Sequence, residues 1–397
     1  MGQVFGQLRW RVLAGAAVIA VLVGGGSWYA LCGHSAPQHG SSNAASGQGG
    51  KAGSKTPHAR QAVAVKPITV VSFTPAPHTL GVNGADSIRV VFSAPLAANS
   101  PMPKVSPSVA GNWQRVSPDT VEFVPAQGFP EQTRVRVVIP AGATGVRSAS
   151  GGLLAARTVD RFWTGSYSTM RLEQLLAQLG YLPLTWAPTG QAVPATDANA
   201  QLSAAYDPPS GSFAWQSGYP SVLMDMWAPG QINEIVTGAV MKFESDHGLT
   251  MDGDAGPEVW QALLAAVAAG TDNTSGYTYA LASQVSPETL TVWHDGKVIM
   301  STPANTGIAA APTTVGTAPV YLKYSFQIMK GTNPNGTKYA DPVSWVSYFR
   351  SGEAVHYFPR ASYGWQQSLG CVELPYNQAK FIWPYLTYGT LVTVTAA

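Results

Sequence analysis

Two stretches near the C-terminal end decide how the chain is read: Ala354-Val355-His356-Tyr357 and Ser368-Leu369-Gly370-Cys371-Val372-Glu373-Leu374-Pro375. A thiol is a useful nucleophile only as its thiolate, so it needs a neighbour that takes or balances its proton, and imidazole titrates in the right range. For Cys371 that candidate is His356, fifteen positions upstream (371 − 356). The competing reading is a buried, inert thiol, because free cysteine is among the most buried residue types. Around the pair, apolar residues recur at every second position: Leu290 and Val292, then Val298 and Met300 after His294-Asp295-Gly296-Lys297. Asp-Gly supplies the positive backbone angles of a two-residue turn, so this reads as a hairpin. Further strands are expected at 320–326, 343–349 and 390–394, which makes 277–397 a mostly β domain.

Upstream, beyond a linker near 270–276, the period changes. Leu172, Leu175, Leu176 and Leu179 fall at helical spacing and stop at Gly180. A second helix is expected through Ile232, Ile235, Val236, Val240 and Phe243, and a third through Val259, Trp260, Leu263 and Leu264. They predict a small three-helix bundle over 168–268, interrupted at 184–230 by an insertion rich in Pro, Trp, Tyr and Ser. Before it, 67–165 holds short alternating runs at 87–92, 120–124 and 133–139, separated by Gly, Pro and Asn clusters, as in an antiparallel sandwich. Trp113 is its expected core aromatic. Residues 33–66 carry almost no large apolar side chain and read as a flexible linker.

At the N-terminus, Arg9 and Arg11 precede an uncharged apolar run from Val12 to Leu31, about the length that crosses a membrane as one helix. Arginines on that side leave the tail of 1–32 in the cytoplasm and everything after Cys32 outside. A cleaved signal peptide is the competing reading, though no small-x-small triplet stands out. Leu31 before Cys32 argues against lipidation. The two cysteines are not expected to pair. The chain has 397 residues, 41 Gly and 30 Pro, with 11% charged residues and a formal net charge of +2. So weak a charge lacks the basic footprint of a nucleic-acid binder. The fold class is multidomain and mainly β: a membrane helix, an Ig-like β-sandwich, a small helical bundle and the mostly β C-terminal domain.

The histidine and Ser-x-Gly-Cys-Val pattern, with Gly307 and Pro312-Thr313-Thr314-Val315-Gly316-Thr317 ahead of it, resembles the signature of the L,D-transpeptidase catalytic family from about 277 to 394. The 67–165 segment resembles a bacterial immunoglobulin-like module. Leu179-Gly180-Tyr181 and the run from Gly248-Leu249 through Asp252-Gly253, Gly256-Pro257, Trp260 and Leu263 resemble a peptidoglycan-binding module. The catalytic resemblance implies an extracytoplasmic enzyme acting on peptidoglycan stem peptides and glycan strands. In it, Cys371 forms a thioester with the L-centred third stem residue and His356 moves the proton. Gly370 and Cys371 amides would face the oxyanion, and Ser368 would support the turn. The third catalytic member of the family is commonly a backbone carbonyl.

Two positions depart from the pattern. Tyr357 stands where glycine often follows the histidine, and Glu373 where Arg or Asn is usual; both are taken as possible substrate contacts, with Glu373 alternatively facing solvent. A thiolate–imidazolium pair, with the thiol pKa lowered, is the expected resting state. No cofactor and no metal site is expected, since the histidines are scattered. Alternatives remain: an L,D-carboxypeptidase with the same residues and water as acceptor, or a catalytically inactive wall-binding protein.

Overall fold

Strict alternation over Ile88–Phe92 buries Ile88, Val90 and Phe92 and leaves Arg89 in solvent, which is what a strand with one core face must do. The computed structural model describes residues 65–126 and 128–396. The expected membrane helix at 12–31 and nearly all of the linker lie outside the described residues. Among the described residues no helix is long and apolar enough to cross a membrane. The first module is a sandwich of seven strands: β1 (Val70–Thr74), β2 (Ile88–Phe92), β3 (Lys104–Ser106), β4 (Gly111–Ser117), β5 (Thr120–Pro125), β6 (Arg134–Ile139) and β7 (Thr158–Trp163). Four form an antiparallel sheet in the order β1-β2-β5-β4 and three a second sheet, β3-β6-β7. Between them lie Phe92, Phe129, Phe162 and the aliphatic residues of the inner faces. Trp113 is only partly buried. It touches both core clusters and meets Phe123 at a tilt, 5.5 Å between ring centres, while the most enclosed aromatics of the module are phenylalanines.

The helical module begins with α1 (Thr169–Gln178), whose leucines are buried and whose chain leaves through Gly180 at φ +77°. The insertion is folded: β8 (Leu184–Pro188) pairs antiparallel with β9 (Gly211–Trp215), with α2 (Ala198–Tyr206) between them and α3 (Ser221–Met224) after. The edge of the Trp186 ring and the Ala187 carbonyl press on Gly211, where any side chain would collide with them. Then come α4 (Glu234–His247) and α5 (Pro257–Ala269), which pack with α1 in the expected trio. Ile232 corrects the expected second helix: it is 62% exposed and precedes the helix, because the Asn233 side chain caps it by accepting the Val236 amide at 3.1 Å.

The insertion also fastens the modules together, which its composition did not announce. Within its own module, the buried Arg171 on α1 donates to Gln174 and to Gln201 of α2. Tyr206 donates to the Phe129 carbonyl at 3.0 Å and Asn83 to Asp207 at 2.7 Å, both reaching the sandwich. Tyr219 donates to the Tyr277 carbonyl at 3.0 Å, reaching the C-terminal domain.

That domain comprises β10 (Thr278–Ser283), β11 (Thr289–His294), β12 (Lys297–Pro303), β13 (Gly316–Pro319), β14 (Leu322–Thr332), β15 (Lys338–Arg350), β16 (Glu353–Tyr357), β17 (Val372–Leu374), α6 (Tyr376–Ile382) and β18 (Leu391–Thr395). One sheet runs β12-β11-β10-β18-β13 and the other β14-β15-β16-β17. Leu290, Val292, Val355, Val372 and Leu374 meet between them. Asp295 and Gly296 take φ of +47° and +72°, giving the expected two-residue turn. Val298 does not reach the core as its alternation suggested. The β11–β12 register slips between Val292 and Trp293, and the bulge leaves Val298 exposed while Met300 stays inside.

Two buried carboxylates hold the loops that enter α4 and α5. Glu173 accepts the Gly230 amide at 2.7 Å and Glu244 the Gly253 amide at 2.9 Å, and burial raises both pKa values to about 7. A raised pKa means the folded form holds the proton more tightly, so the stability these groups contribute is complete below their ordinary 4.5 and is lost as pH rises through about 7. Glu173→Gln keeps an acceptor for Gly230 without the charge. It is expected to flatten the fall in thermal midpoint across that window; an unchanged slope would contradict the assignment.

Candidate active site

The parallel pairing of β16 with β17 sets Val355 opposite Val372, His356 opposite Glu373 and Tyr357 opposite Leu374. Side chains alternate along both strands. Val355, Tyr357, Val372 and Leu374 therefore face the core, and Ala354, His356, Cys371 and Glu373 share the other face. That face looks into a cavity of about 790 Å³, whose far wall is the long β14–β15 hairpin with Met329, Tyr339 and Asp341. Cys371 and His356 both line it, so the two residues singled out from their spacing lie on one wall of one cavity.

Cys371 sits just before β17, in a turn that the chain braces from two sides. Ser368 Oγ donates to the Cys371 carbonyl at 2.6 Å and accepts the Gly370 amide at 3.2 Å. Gly370 adopts φ +110°, and nothing lies within 3.7 Å of where a Cβ would stand, so the backbone angle, not crowding, requires glycine. On the other side runs the segment around Thr306. Asn305 exchanges backbone hydrogen bonds with Glu373, and the Thr306 carbonyl accepts the amides of Gln367 and Ser368. Thr306 is itself held by the buried Glu288, which takes both its amide at 2.7 Å and its hydroxyl at 2.9 Å. Gly307 must be bare, since a Cβ there would strike the Ala311 carbonyl; its amide donates to Thr313 Oγ1.

His356 is 3% exposed. Its Nδ1 lies 2.9 Å from the Tyr357 carbonyl. A carbonyl can only accept, so Nδ1 carries the proton and Nε2 presents the lone pair. Tyr357 thus contributes its backbone. Its ring points away from the cavity and meets Tyr376 edge-on at 5.1 Å, which removes the expected side-chain contact with substrate.

Glu373 neither faces solvent nor offers a free oxygen to an amine. It is buried and accepts from Arg360 Nε at 2.8 Å, from Arg360 Nη2 at 2.7 Å and from Asn305 Nδ2 at 3.3 Å. The sequence reading missed Arg360, Asn305, Thr306 and Glu288. A lone arginine four residues after His356 has no periodicity to mark it, although Gly307 had already drawn notice to the segment beside Thr306.

The resting electrostatics differ from the expected ion pair. Burial pushes the Cys371 thiol up to about 12; the Ala354 amide opposes this and the charges of Glu373 and Glu353 reinforce it. Burial also lowers His356 below its ordinary 6.5, against the pull of the Tyr357 carbonyl and Glu373. No hydrogen bond joins the pair; the thiol points at the Gly352 carbonyl, 3.7 Å away. Both groups rest neutral, because desolvation at the cavity wall penalises either charge. Alkylation of the free chain by a neutral reagent is therefore expected to be slow at neutral pH and to climb steadily into the alkaline range. A plateau at neutral pH would indicate a preformed thiolate.

Among curated proteins no sequence matches the chain. Solved structures to which it is similar include an L,D-transpeptidase from Mycobacterium smegmatis (14% identity, 83% of this chain and 100% of that one, TM-score 0.29). L,D-transpeptidase 3 from Mycobacterium tuberculosis gives 16% identity over 82% of this chain and 98% of that one, TM-score 0.28. The catalytic domain of the E. faecium L,D-transpeptidase gives 27% identity over 31% of this chain and 100% of that one, TM-score 0.28. Residues 64–169 match the bacterial Ig-like domain family and residues 278–394 the L,D-transpeptidase catalytic domain family. The chain therefore carries an L,D-transpeptidase catalytic domain at its C-terminal end, behind a bacterial Ig-like domain.

Proposed function

We propose that the chain cross-links peptidoglycan stem peptides outside the cytoplasmic membrane, with Cys371 as nucleophile and His356 as general base. The observation that carries this reading is the shared cavity wall of Cys371 and a His356 whose Nε2 is left as the lone pair by the Tyr357 carbonyl. Substrate binding turns the thiol from the Gly352 carbonyl toward Nε2, which takes its proton as sulfur attacks the carbonyl of the L-centred third stem residue. The Cys371 amide, which has no partner among the described residues, faces the developing oxyanion; the Gly370 amide joins it on leaving Ser368 Oγ. The C–N bond to the terminal D-alanine breaks, and His356 returns the proton to the departing amine. An amine of a second stem then attacks the thioester, giving a 3–3 cross-link and freeing the thiol.

The uncharged run 12–31 serves in this account as the anchor, with Arg9 and Arg11 in the cytoplasm. The helical module serves as a glycan-binding spacer. A neutral resting thiol suits such a site, since it reacts only when a bound substrate completes the arrangement.

Incubation with disaccharide-tetrapeptide should yield the cross-linked dimer. Cys371→Ala should abolish it, and His356→Ala should slow it by about 10²–10⁴-fold. Because His356 must be neutral and its pKa is lowered, kcat/KM should hold as pH falls through 6.5 and drop only below it. Tripeptide without dimer would replace the cross-linking reading by hydrolysis. Full activity in Cys371→Ala would end both.

A further inference from the structure

Arg360 has five N–H donors, and the chain accounts for three. Nε donates to Glu373 Oε2 at 2.8 Å, and Nη2 donates to Glu373 Oε1 at 2.7 Å and to the Gln367 carbonyl at 3.0 Å. The two donors on Nη1 have no partner among the described residues, and the side chain lines the same cavity as Cys371 and His356. Glu373, the Gln367 carbonyl and the Phe358 ring hold its other sides. Glu373 grips one edge of the fork, and the Phe358 ring lies 4.6 Å from the guanidinium carbon. Glu373 is in turn held by Asn305. The pair is asymmetric: both members line the cavity, but the Glu373 side chain is 5% exposed and that of Arg360 27%, so the cation is the more open of the two. Asp341 across the cavity makes no ion pair with it, though it is near enough to favour the charged form.

A purely structural clamp would need only the edge facing Glu373. A guanidinium immobilised on one edge and bare on the other loses little entropy on taking a further oxygen, and arginine suits carboxylates. Resting on the function proposed above, the substrates that enter this cavity are peptides with free carboxylates. We propose that Arg360 is a specificity-determining residue of this site, binding a substrate carboxylate through Nη1. That carboxylate is either the C-terminal one of the donor stem or the one beside the attacking amine of the acceptor.

The test compares free acids with their amides in two arms. In the donor arm, the rate of acyl-enzyme formation is measured without acceptor, using a stem tetrapeptide and its C-terminal amide. In the acceptor arm, the yield of dimer is measured with acceptors whose carboxylate next to the amine is free or amidated. The wild type should prefer the acid by about 10- to 100-fold in one arm, the size of one charge-assisted hydrogen bond, and the arm identifies the source. The double variant Arg360→Gln/Glu373→Gln leaves no unpaired buried charge and should bring that ratio close to one. Arg360→Lys, which keeps the charge without the fork, should retain part of it. Equal use of acid and amide by the wild type in both arms would overturn the proposal without touching the function. So would a double variant that slows both substrates alike and keeps the ratio. Absence of acylation by any donor would instead remove the underlying function, and the proposal with it.

Discussion

Pairing a short strand, β17, in parallel with β16 constrains everything else in the catalytic domain. Parallel neighbours in register point the same way, so the ladder that sets His356 opposite Glu373 also brings Cys371, two residues before Glu373, onto the same face. A slip of one residue would send Val372 to the cavity and Cys371 to the core. The register is held by Val355, Val372 and Leu374, which are all fully enclosed on the opposite face. It is held again by Asn305, whose backbone pairs with Glu373 from the far side. A three-residue strand has few hydrogen bonds of its own, and this double bracing replaces the length it lacks.

Buried charge is the second constraint. Glu373 is taken out of water next to a thiol and an imidazole, both of which rest neutral. Arg360 meets both its oxygens and Asn305 meets one. Removing Arg360 alone would leave a buried carboxylate without a counter-charge, which typically costs about 3–5 kcal/mol. The ion pair therefore locks the segment between His356 and Ser368 to β17, and the catalytic turn inherits its rigidity. Glu353 contributes from the rim, where it binds both the amide and the hydroxyl of Thr314 and adds to the negative field at Cys371.

Much of this was legible in the sequence where the signal was periodic or chemically specific. The Asp295-Gly296 turn, the buried faces of β2 and β6 and the leucines of α1 all follow from spacing and residue type, and Cys371 and His356, singled out by residue type, line one cavity. What escaped has physical causes. Val298 left the core because a bulge adds a residue that alternation cannot reveal, and Ile232 stayed outside its helix because Asn233 takes the cap. The partner of Glu373 was hidden because Arg360 comes from a loop, where no period constrains a side chain. Tyr357 was misjudged for the opposite reason: its alternation, read strictly, already turned the ring toward the core and left only its carbonyl for the site. The insertion at 184–230 looked like an interruption of the helical module, yet Gln201 ties it to α1 and Tyr206 and Tyr219 make it the joint between modules.

The central claim is that the thiol at the head of β17 takes the acyl group. Intact-protein mass spectrometry of the chain quenched with a stem tetrapeptide, followed by peptide mapping, reads this directly. One adduct is expected, adding the mass of the tetrapeptide less one free alanine, on the peptide containing Cys371, labile to thiols as a thioester is. An adduct elsewhere, or release of the terminal residue with no adduct detectable under rapid quenching, would contradict it.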